Sequence, residues 1–314
     1  MRKRLFTILI AIATCVVVLG QEEMVFTPQW TAQAQFAGYY VALEKGFYKR
    51  EGLKVHIEHP YASNSCINML KRGECQLITQ PLISAIRQID KGLHLVNLQQ
   101  TSQNNSEMII SNRPIKSIKS LNGLRIGHWK AGYSELAFIM AQQHGLRIEW
   151  IPFVRNVNLF ISGAIDATMA MSYNEYFQLR MSGIKIPNDH MFCFADYGYN
   201  IPEDGLYVTA DYYATHKTAV DKFVKATREG WEWAVAHPEE TLEIVMKMTK
   251  IDDVKTNKLV QRWMLNDFLK NMTNKKTGKR TYRLTPEALE LANKLLLMSN
   301  SIKNPVTYQQ ITQL

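Results

Sequence analysis

The sequence predicts an α/β protein of two lobes joined by two hinge crossings, with a cleft between them. Three observations predict it. The chain has 314 residues, too many for one small domain and suited to two of ordinary size. Short strands alternate with helices through two successive rounds, which argues for largely parallel sheets flanked by helices. A helical section then closes the chain, and no repeat or long linker separates the rounds, so short hinge strands must join them.

In the first round, residues 24–26 read as a strand. Residues 35–45 read as a helix, with Phe36, Tyr39, Tyr40 and Leu43 three and four apart, ended by Gly46. Residues 53–59 alternate apolar and polar (Leu53, Val55, Ile57) and read as a strand. Residues 65–71 form a helix stopped by Gly73, 75–79 a strand, and 84–90 a helix stopped by Gly92.

The second round opens with an apolar strand at 108–111, broken by Asn112, Arg113 and Pro114. Strands follow at 124–127, 148–151 and 167–171, with helices at 135–143 and 173–181; Gly183 closes the last. The third section begins with a strand at 206–209. Val220, Phe223, Val224, Thr227, Trp231 and Ala234 then make one apolar stripe on a helix over 218–236. Pro238 starts a further helix, and Leu259, Trp263, Leu265 and Phe268 mark another. Thr285 caps a final helix with Pro286 in its first position and an apolar run to Leu297. Crossings are expected near 111–113 and 203–205, giving one lobe of 21–111 plus 205–314 and a second of 112–204. The C-terminal helices are expected to pack on the first lobe.

Residues 1–20 stand outside this pattern. Arg2, Lys3 and Arg4 precede an apolar run over 5–19, and Val18 and Gly20 suit cleavage before Gln21. This is the pattern of a cleaved secretory signal, and the run is short for a membrane span. It places the mature chain in the periplasm. Lipid anchoring at Cys15 is disfavoured, because Thr14 precedes it and apolar residues follow it.

Composition is ordinary for a globular chain, 46% hydrophobic and 21% charged. Cleavage removes three of the 37 basic residues and none of the 28 acidic ones, leaving a net charge of +6. The densest basic stretch, Lys275, Lys276, Lys279, Arg280 and Arg283 around Gly278, reads as a solvated loop, so no nucleic-acid partner is expected. Three cysteines remain after cleavage: Cys66, Cys75 and Cys193. An odd number leaves at least one thiol free, and no Cys/His set has zinc-like spacing. No metal or cofactor is expected.

Enzyme signatures are missing: there is no nucleophile elbow, phosphate loop, zinc-protease helix or dinucleotide fingerprint. His128 has no evident partner for base catalysis. Binding has better candidates, because ligands of open α/β sheets sit beyond the carboxyl ends of strands. Trp30 follows the first strand among Pro28, Gln29 and Thr31 and offers a stacking plane. Lys130, Tyr133 and Ser134 follow the strand at 124–127 and can hold a polar or anionic group, although helix capping by Ser134 explains the same residues. Tyr173, Asn174 and Glu175 follow the strand at 167–171, where a carboxylate can accept paired N–H bonds beside an aromatic wall. Phe36 and Tyr39 sit on an aromatic helical stripe, usually core, next to polar Gln33 and Gln35.

Taken together these residues form a connected pattern. Trp30 is followed by Gln35-Phe36-Ala37-Gly38-Tyr39-Tyr40-Val41-Ala42 and by Lys45-Gly46-Phe47-Tyr48-Lys49-Arg50-Glu51-Gly52-Leu53. Then come Leu70-Lys71-Arg72-Gly73, Leu121-Asn122-Gly123-Leu124-Arg125-Ile126-Gly127, Ser162-Gly163-Ala164-Ile165-Asp166-Ala167 and Tyr173-Asn174-Glu175-Tyr176. Over most of residues 24–235 the chain resembles the NMT1/THI family of thiamine-pyrimidine proteins. The resemblance implies the fold of a type-2 periplasmic binding protein. In one branch it implies a receptor for thiamine-precursor pyrimidines such as formylaminopyrimidine or hydroxymethylpyrimidine, working with an ABC permease and ATPase. The other branch makes hydroxymethylpyrimidine phosphate from pyridoxal phosphate and its own histidine, using a lysine and a cysteine-rich iron site. Here Gln80 and Ser84 stand where that lysine and histidine are expected, and residues 193–209 hold only Cys193, so a binding protein rather than an enzyme is expected. By resemblance Trp30 and Tyr173 sandwich the ring, Glu175 and Asn174 read its amino edge, and Gln80 reaches in from the first lobe. Relatives of the fold also take sulfonates, nitrate and riboflavin-like rings, and some serve membrane sensors, so the fold alone leaves the ligand open.

Overall fold

The computed structural model describes residues 21–60, 64–130, 133–154, 157–275 and 277–313. The expected signal over 1–20 with Cys15 lies outside the described residues, as do Ala131, Gly132 and Lys276.

The first lobe is built on a five-stranded sheet. In chain order its elements are β1 (Glu22–Thr27), α1 (Ala37–Glu44), α2 (Phe47–Arg50), β2 (Leu53–Ile57), α3 (Cys66–Lys71), β3 (Leu77–Gln80), α4 (Leu82–Asp90) and β4 (Leu95–Gln100). The second lobe contains β5 (Glu107–Ser111), β6 (Arg125–Trp129), α5 (Glu135–Gln143), β7 (Glu149–Phe153), α6 (Asn158–Ile161), β8 (Ala167–Met171), α7 (Glu175–Met181) and β9 (Met191–Cys193). The chain then returns through β10 (Gly205–Thr209) and ends in α8 (Ala210–Ala236), α9 (Pro238–Ile251), α10 (Lys258–Asn271), α11 (Pro286–Met298) and α12 (Tyr308–Thr312).

The two sheets repeat one plan. The first runs β2-β1-β3-β10-β4 and the second β7-β6-β8-β5-β9. Each has three parallel strands, with β1 or β6 in the middle of the trio, and an antiparallel strand from the hinge beyond it. Neighbouring loops of the parallel trio part at β1 and β6, which opens a crevice at their carboxyl ends.

One hinge expectation is corrected. β5 pairs with β8 and β9, so it belongs to the second lobe, and the outward crossing runs over residues 101–106 instead of 111–113. This crossing is polar yet buried throughout, from Thr101 to Ser106. Buried backbone groups need partners, and amide and hydroxyl side chains supply them here. Asn105 Oδ1 accepts from Glu107 N–H (2.9 Å), and Ser102 Oγ accepts from the N–H groups of Glu203 and Asp204 (3.0 and 2.9 Å). The return crossing runs from Tyr199 to Asp204, with Asp204 C=O accepting from Thr101 N–H (2.8 Å).

The C-terminal helices do not all pack on the first lobe. α8 and α9 cover α1, but α11 lies against α4 of the first lobe and α5 of the second, bridging them on one side. Opposite, α10 reaches the second lobe: Trp263 stacks on Phe177 at 4.5 Å, and Ser172 Oγ donates to Asp267 Oδ2 at 2.7 Å. The lobes are therefore closed on each other. Short elements escape a pattern-based reading: β9, α6 and α12 have too few residues for a clear period, whereas β4 is as long as β1 and is hidden by its polar end, Gln99 and Gln100. α8 begins at Ala210, eight residues earlier than expected, with a kink at His216. Thr285 Oγ1 caps α11 by accepting from Ala288 N–H (3.2 Å). Cys66, Cys75 and Cys193 are all free thiols. No helix of the described residues is long and apolar enough to cross a membrane.

Candidate functional site

Four strand ends and both crossings meet at one inter-lobe cavity. The first lobe contributes Gln29, Trp30, Gln33 and Gln35 after β1 and Pro81 after β3. The second contributes Trp129 at the end of β6 with Tyr133 beyond it, and Met171 at the end of β8 with Tyr173, Asn174 and Glu175 beyond it. Glu107, where the outward crossing enters β5, and Glu203, in the return crossing, complete the lining. The empty space is about 460 Å³, counting the part open to solvent. It shares Trp30, Gln33, Asn174 and Glu175 with a wider polar vestibule whose far wall includes Lys255, Thr256 and Asn257.

The loop carrying Trp30 is pinned by side chains. Gln29 N–H donates to Thr79 Oγ1 (2.8 Å), Ala32 N–H to Asp252 Oδ2 (3.3 Å) and Ala34 N–H to Gln261 Oε1 (2.7 Å). Tyr40 and the Trp30 carbonyl hold the two ring nitrogens of His59, at 2.8 and 2.6 Å. Burial lowers the His59 pKa, so the ring is neutral, accepting from Tyr40 through Nε2 and donating to Trp30 through Nδ1. Tyr133 closes the cavity from the other lobe. Its hydroxyl donates to Gln29 C=O at 2.5 Å, and its ring meets Trp30 edge-on at 5.6 Å. Tyr133 holds a left-handed φ of 68°, costly for an aromatic residue and common where a site dictates the backbone.

Glu175 is buried on the second-lobe wall. Oε1 accepts from Trp129 Nε1–H and Oε2 from Met171 N–H, both at 3.0 Å. Burial raises its pKa while these two bonds oppose the rise. Oε1 also accepts from Asn174 Nδ2 at 3.4 Å, so Oε2 is the oxygen that keeps a lone pair for a ligand donor. Tyr173 stands next to it, buried, with its ring edge-on to Phe268 at 5.8 Å.

The floor is acidic. Glu107, Glu203 and Asp204 are all buried. Asp204 Oδ1 accepts from Gln35 Nε2 (2.6 Å) and Gln29 Nε2 (3.2 Å). Burial pushes the Asp204 carboxyl up to about 7. Burial and the neighbouring Asp204 push Glu203 up to about 8, and burial with Glu203 alongside takes Glu107 well above the carboxylate range. Among the described residues lining the cavity there is no Lys, Arg or His.

These shifts carry a sign. A carboxyl raised on folding binds its proton more tightly in the native state, so its stabilisation is complete below the ordinary carboxyl range. It is lost as pH rises through the raised value. The ligand-free protein should lose melting temperature between about pH 5 and 8, by up to about 1.4 kcal/mol per pH unit for each proton held. Unfolding curves across that range should slope down, and Glu203→Gln should flatten them; a rising curve would contradict the arrangement. Carboxylates lowered by surface partners, such as Glu23 beside Lys54 and Glu74 beside Arg72, act at more acid pH.

Of the ten residues singled out in the sequence, the cavity brings together Trp30, Tyr133, Tyr173, Asn174 and Glu175. The other five are elsewhere. Phe36 and Tyr39 are core: Tyr39 stacks on Phe26 at 4.3 Å and meets Trp231 edge-on at 6.0 Å, because α1 is packed on all sides. Gln80 Nε2 turns to Cys66 Sγ at 2.7 Å. Lys130 is exposed, its N–H bonded to Phe153 C=O, so its charge points to solvent. Ser134 is buried at the start of α5 with no capping bond from its side chain and no place in the cavity lining. The residues missed were Gln29, Gln33, Gln35, Pro81, Trp129, Met171 and the hinge acids Glu107 and Glu203. Gln33 and Gln35 carried one signal, being polar beside an otherwise apolar helix start.

The model of the family described as "NMT1/THI5 like" matches residues 33–241, two thirds of the chain. The chain belongs to the NMT1/THI5-like family. The riboflavin-binding protein RibY of Chloroflexus aurantiacus is 25% identical over 272 residues, covering 82% of this chain and 75% of that protein. The formylaminopyrimidine-binding protein of Halalkalibacterium halodurans is 25% identical over 227 residues, covering 69% and 68%. Among solved structures, the periplasmic aliphatic sulphonate binding protein SsuA of Escherichia coli superposes with a TM-score of 0.67 at 15% identity, covering 93% and 98%. The desulfurization enzyme DSZB superposes at 0.60 with 15% identity, covering 93% and 96%. The family member thus has the type-2 periplasmic binding protein fold, a scaffold that also carries an enzyme.

Proposed function

We propose that this family member is the exported solute-binding component of an ABC importer and that its cleft takes a thiamine-precursor pyrimidine of the formylaminopyrimidine or hydroxymethylpyrimidine type. The observation that carries this reading is the chemistry of the cavity wall. Trp30 and Tyr173 offer aromatic faces, and Glu107, Glu175 and Glu203 offer acceptors, with no cationic side chain among the lining. A flat neutral ring edged with N–H donors complements such a wall. A sulfonate does not, because a buried anion needs a counter-charge or a set of donors. A catalytic reading gains no support at Gln80, whose amide is engaged with Cys66. In the transport role the lobes, hinged over 101–106 and 199–204, open for loading, and the permease and its ATPase partner engage the closed form.

Thermal unfolding of residues 21–314 against a ligand panel tests the proposal. At about a hundred times its dissociation constant a pyrimidine should add roughly 2.7 kcal/mol, several degrees of melting temperature for a chain of this size. Riboflavin raising the melting temperature where the pyrimidines do not would move the ligand to the larger ring; a response to taurine or another sulfonate alone would overturn the proposal.

A further inference from the structure

The acidic floor is more than the neutral ring requires. Three oxygens of the cavity lining have no partner in the protein, Glu107 Oε2, Glu203 Oε2 and Gln29 Oε1; Asp204 Oδ2, outside the lining, has none either. Each belongs to a residue at least nine-tenths buried, and all three residues line the same cavity. The three come from separate segments: the loop after β1, the start of β5 and the return crossing. Ser106 N–H donates to Glu203 Oε1 at 2.9 Å, which sets the Glu203 carboxyl alongside Glu107. The other charged groups facing them are acidic too. Asp204 adjoins Glu203, Glu135 approaches Glu107 from α5, and Glu175 lies on the opposite wall. Arg87 on α4 engages Glu135 at 3.4 Å.

Left unpaired, two adjacent carboxylates in such a place are unstable as anions and retain a proton. Ionised, they present a negative, acceptor-only surface that one ligand cation satisfies. We propose that Glu107 and Glu203, with the Gln29 carbonyl, form a cation subsite that receives a protonated amine carried by the ring ligand. The proposal rests on the pyrimidine reading for the ring and adds the charge of its substituent. Binding of the ammonium group displaces a proton from the carboxyl pair to solvent, so one positive charge enters the floor as another leaves it. Affinity for an ammonium ligand therefore rises with pH from 6 to 8, as Glu203, raised to about 8, approaches ionisation, while affinity for the matching alcohol stays flat.

Calorimetric titration of residues 21–314 with two matched pairs tests this. The first pair is 4-amino-5-aminomethyl-2-methylpyrimidine and its hydroxymethyl counterpart; the second is benzylamine and benzyl alcohol, which carries the charge difference without the pyrimidine. The aminomethyl compound should bind at least about tenfold tighter than the hydroxymethyl one at pH 7.5. Comparison of buffers with different ionisation heats should show proton release for the amine only. Glu203→Gln, which keeps the side-chain shape, should erase the advantage of the amine over the alcohol and abolish the proton release on amine binding. Discrimination within the benzyl pair but no binding of either pyrimidine would keep the cation subsite and discard the ring assignment. Equal affinities within each pair, or no binding of any of the four, would overturn the subsite.

Discussion

Gly230→Ala should destabilise the protein by about 3 kcal/mol or more, although alanine is the better helix former by about 1 kcal/mol. α1 and α8 cross with their backbones in near contact. A Cβ on Gly230 would stand 2.1 Å from Gly38 C=O and 2.9 Å from Ala42 Cβ, and one on Gly38 would stand 2.2 Å from the Trp231 ring. Backbone oxygen cannot yield as a flexible side chain can, so the helices must separate, and Trp231, Tyr39 and Phe268 lose their packing with them. Each kcal/mol lowers the melting temperature by roughly 2–4 °C in a chain of this size, so a fall of at least about 6 °C is expected. Gly38→Ala should cost less in a Trp231→Leu background than alone, since its clash is with that ring. A melting temperature unchanged or raised in Gly230→Ala would mean that the crossing is looser than described.

Trp30→Ala should weaken pyrimidine binding by at least about 2 kcal/mol, a rise in dissociation constant of about thirtyfold. Trp30 is partly exposed on a loop held by its backbone, so its truncation removes the aromatic face without dismantling the fold. Glu175→Gln is the harsher change. Both carboxylate oxygens accept N–H bonds, so the amide must set a donor against Trp129 Nε1–H or Met171 N–H. We expect at least a tenfold loss of affinity together with a lower melting temperature. Titration and unfolding of the two variants separate these effects: Trp30→Ala changes binding with little change in stability, Glu175→Gln changes both. Unaltered affinity in Trp30→Ala would remove that ring from the site.

The second-lobe wall was legible because strand β8 ends cleanly and Tyr173, Asn174 and Glu175 follow it at once. Trp30 was legible for the same reason at the end of β1. Phe36 and Tyr39 misled, since a helical aromatic stripe looks alike whether it faces a cleft or a partner helix. What separated the two was the close approach of Gly38 to Trp231, nearly two hundred residues away in the chain. The hinge was the hardest part. Residues Gln99 to Ser106 are uniformly polar and resemble an exposed loop, yet all are buried, because a crossing between two lobes must satisfy its backbone inside the protein. Glu107, Glu203 and Asp204 therefore gave no local signal; their role follows from two crossings meeting, a long-range fact. The apolar middle of β5, Met108 to Ile110, in turn was read as the end of the first lobe and placed the first hinge too late.

On the proposed function the cleft selects a flat, neutral or cationic N–H donor and rejects anions. The most direct measurement is a pair of calorimetric titrations of the wild-type protein at pH 7.5, one with 4-amino-5-hydroxymethyl-2-methylpyrimidine and one with an alkanesulfonate. Saturable one-to-one binding of the pyrimidine and no saturation by the sulfonate at millimolar concentration are expected. Saturable binding of the sulfonate with none of the pyrimidine would contradict this selectivity, and would mean that the buried carboxylates do not govern what enters the cleft.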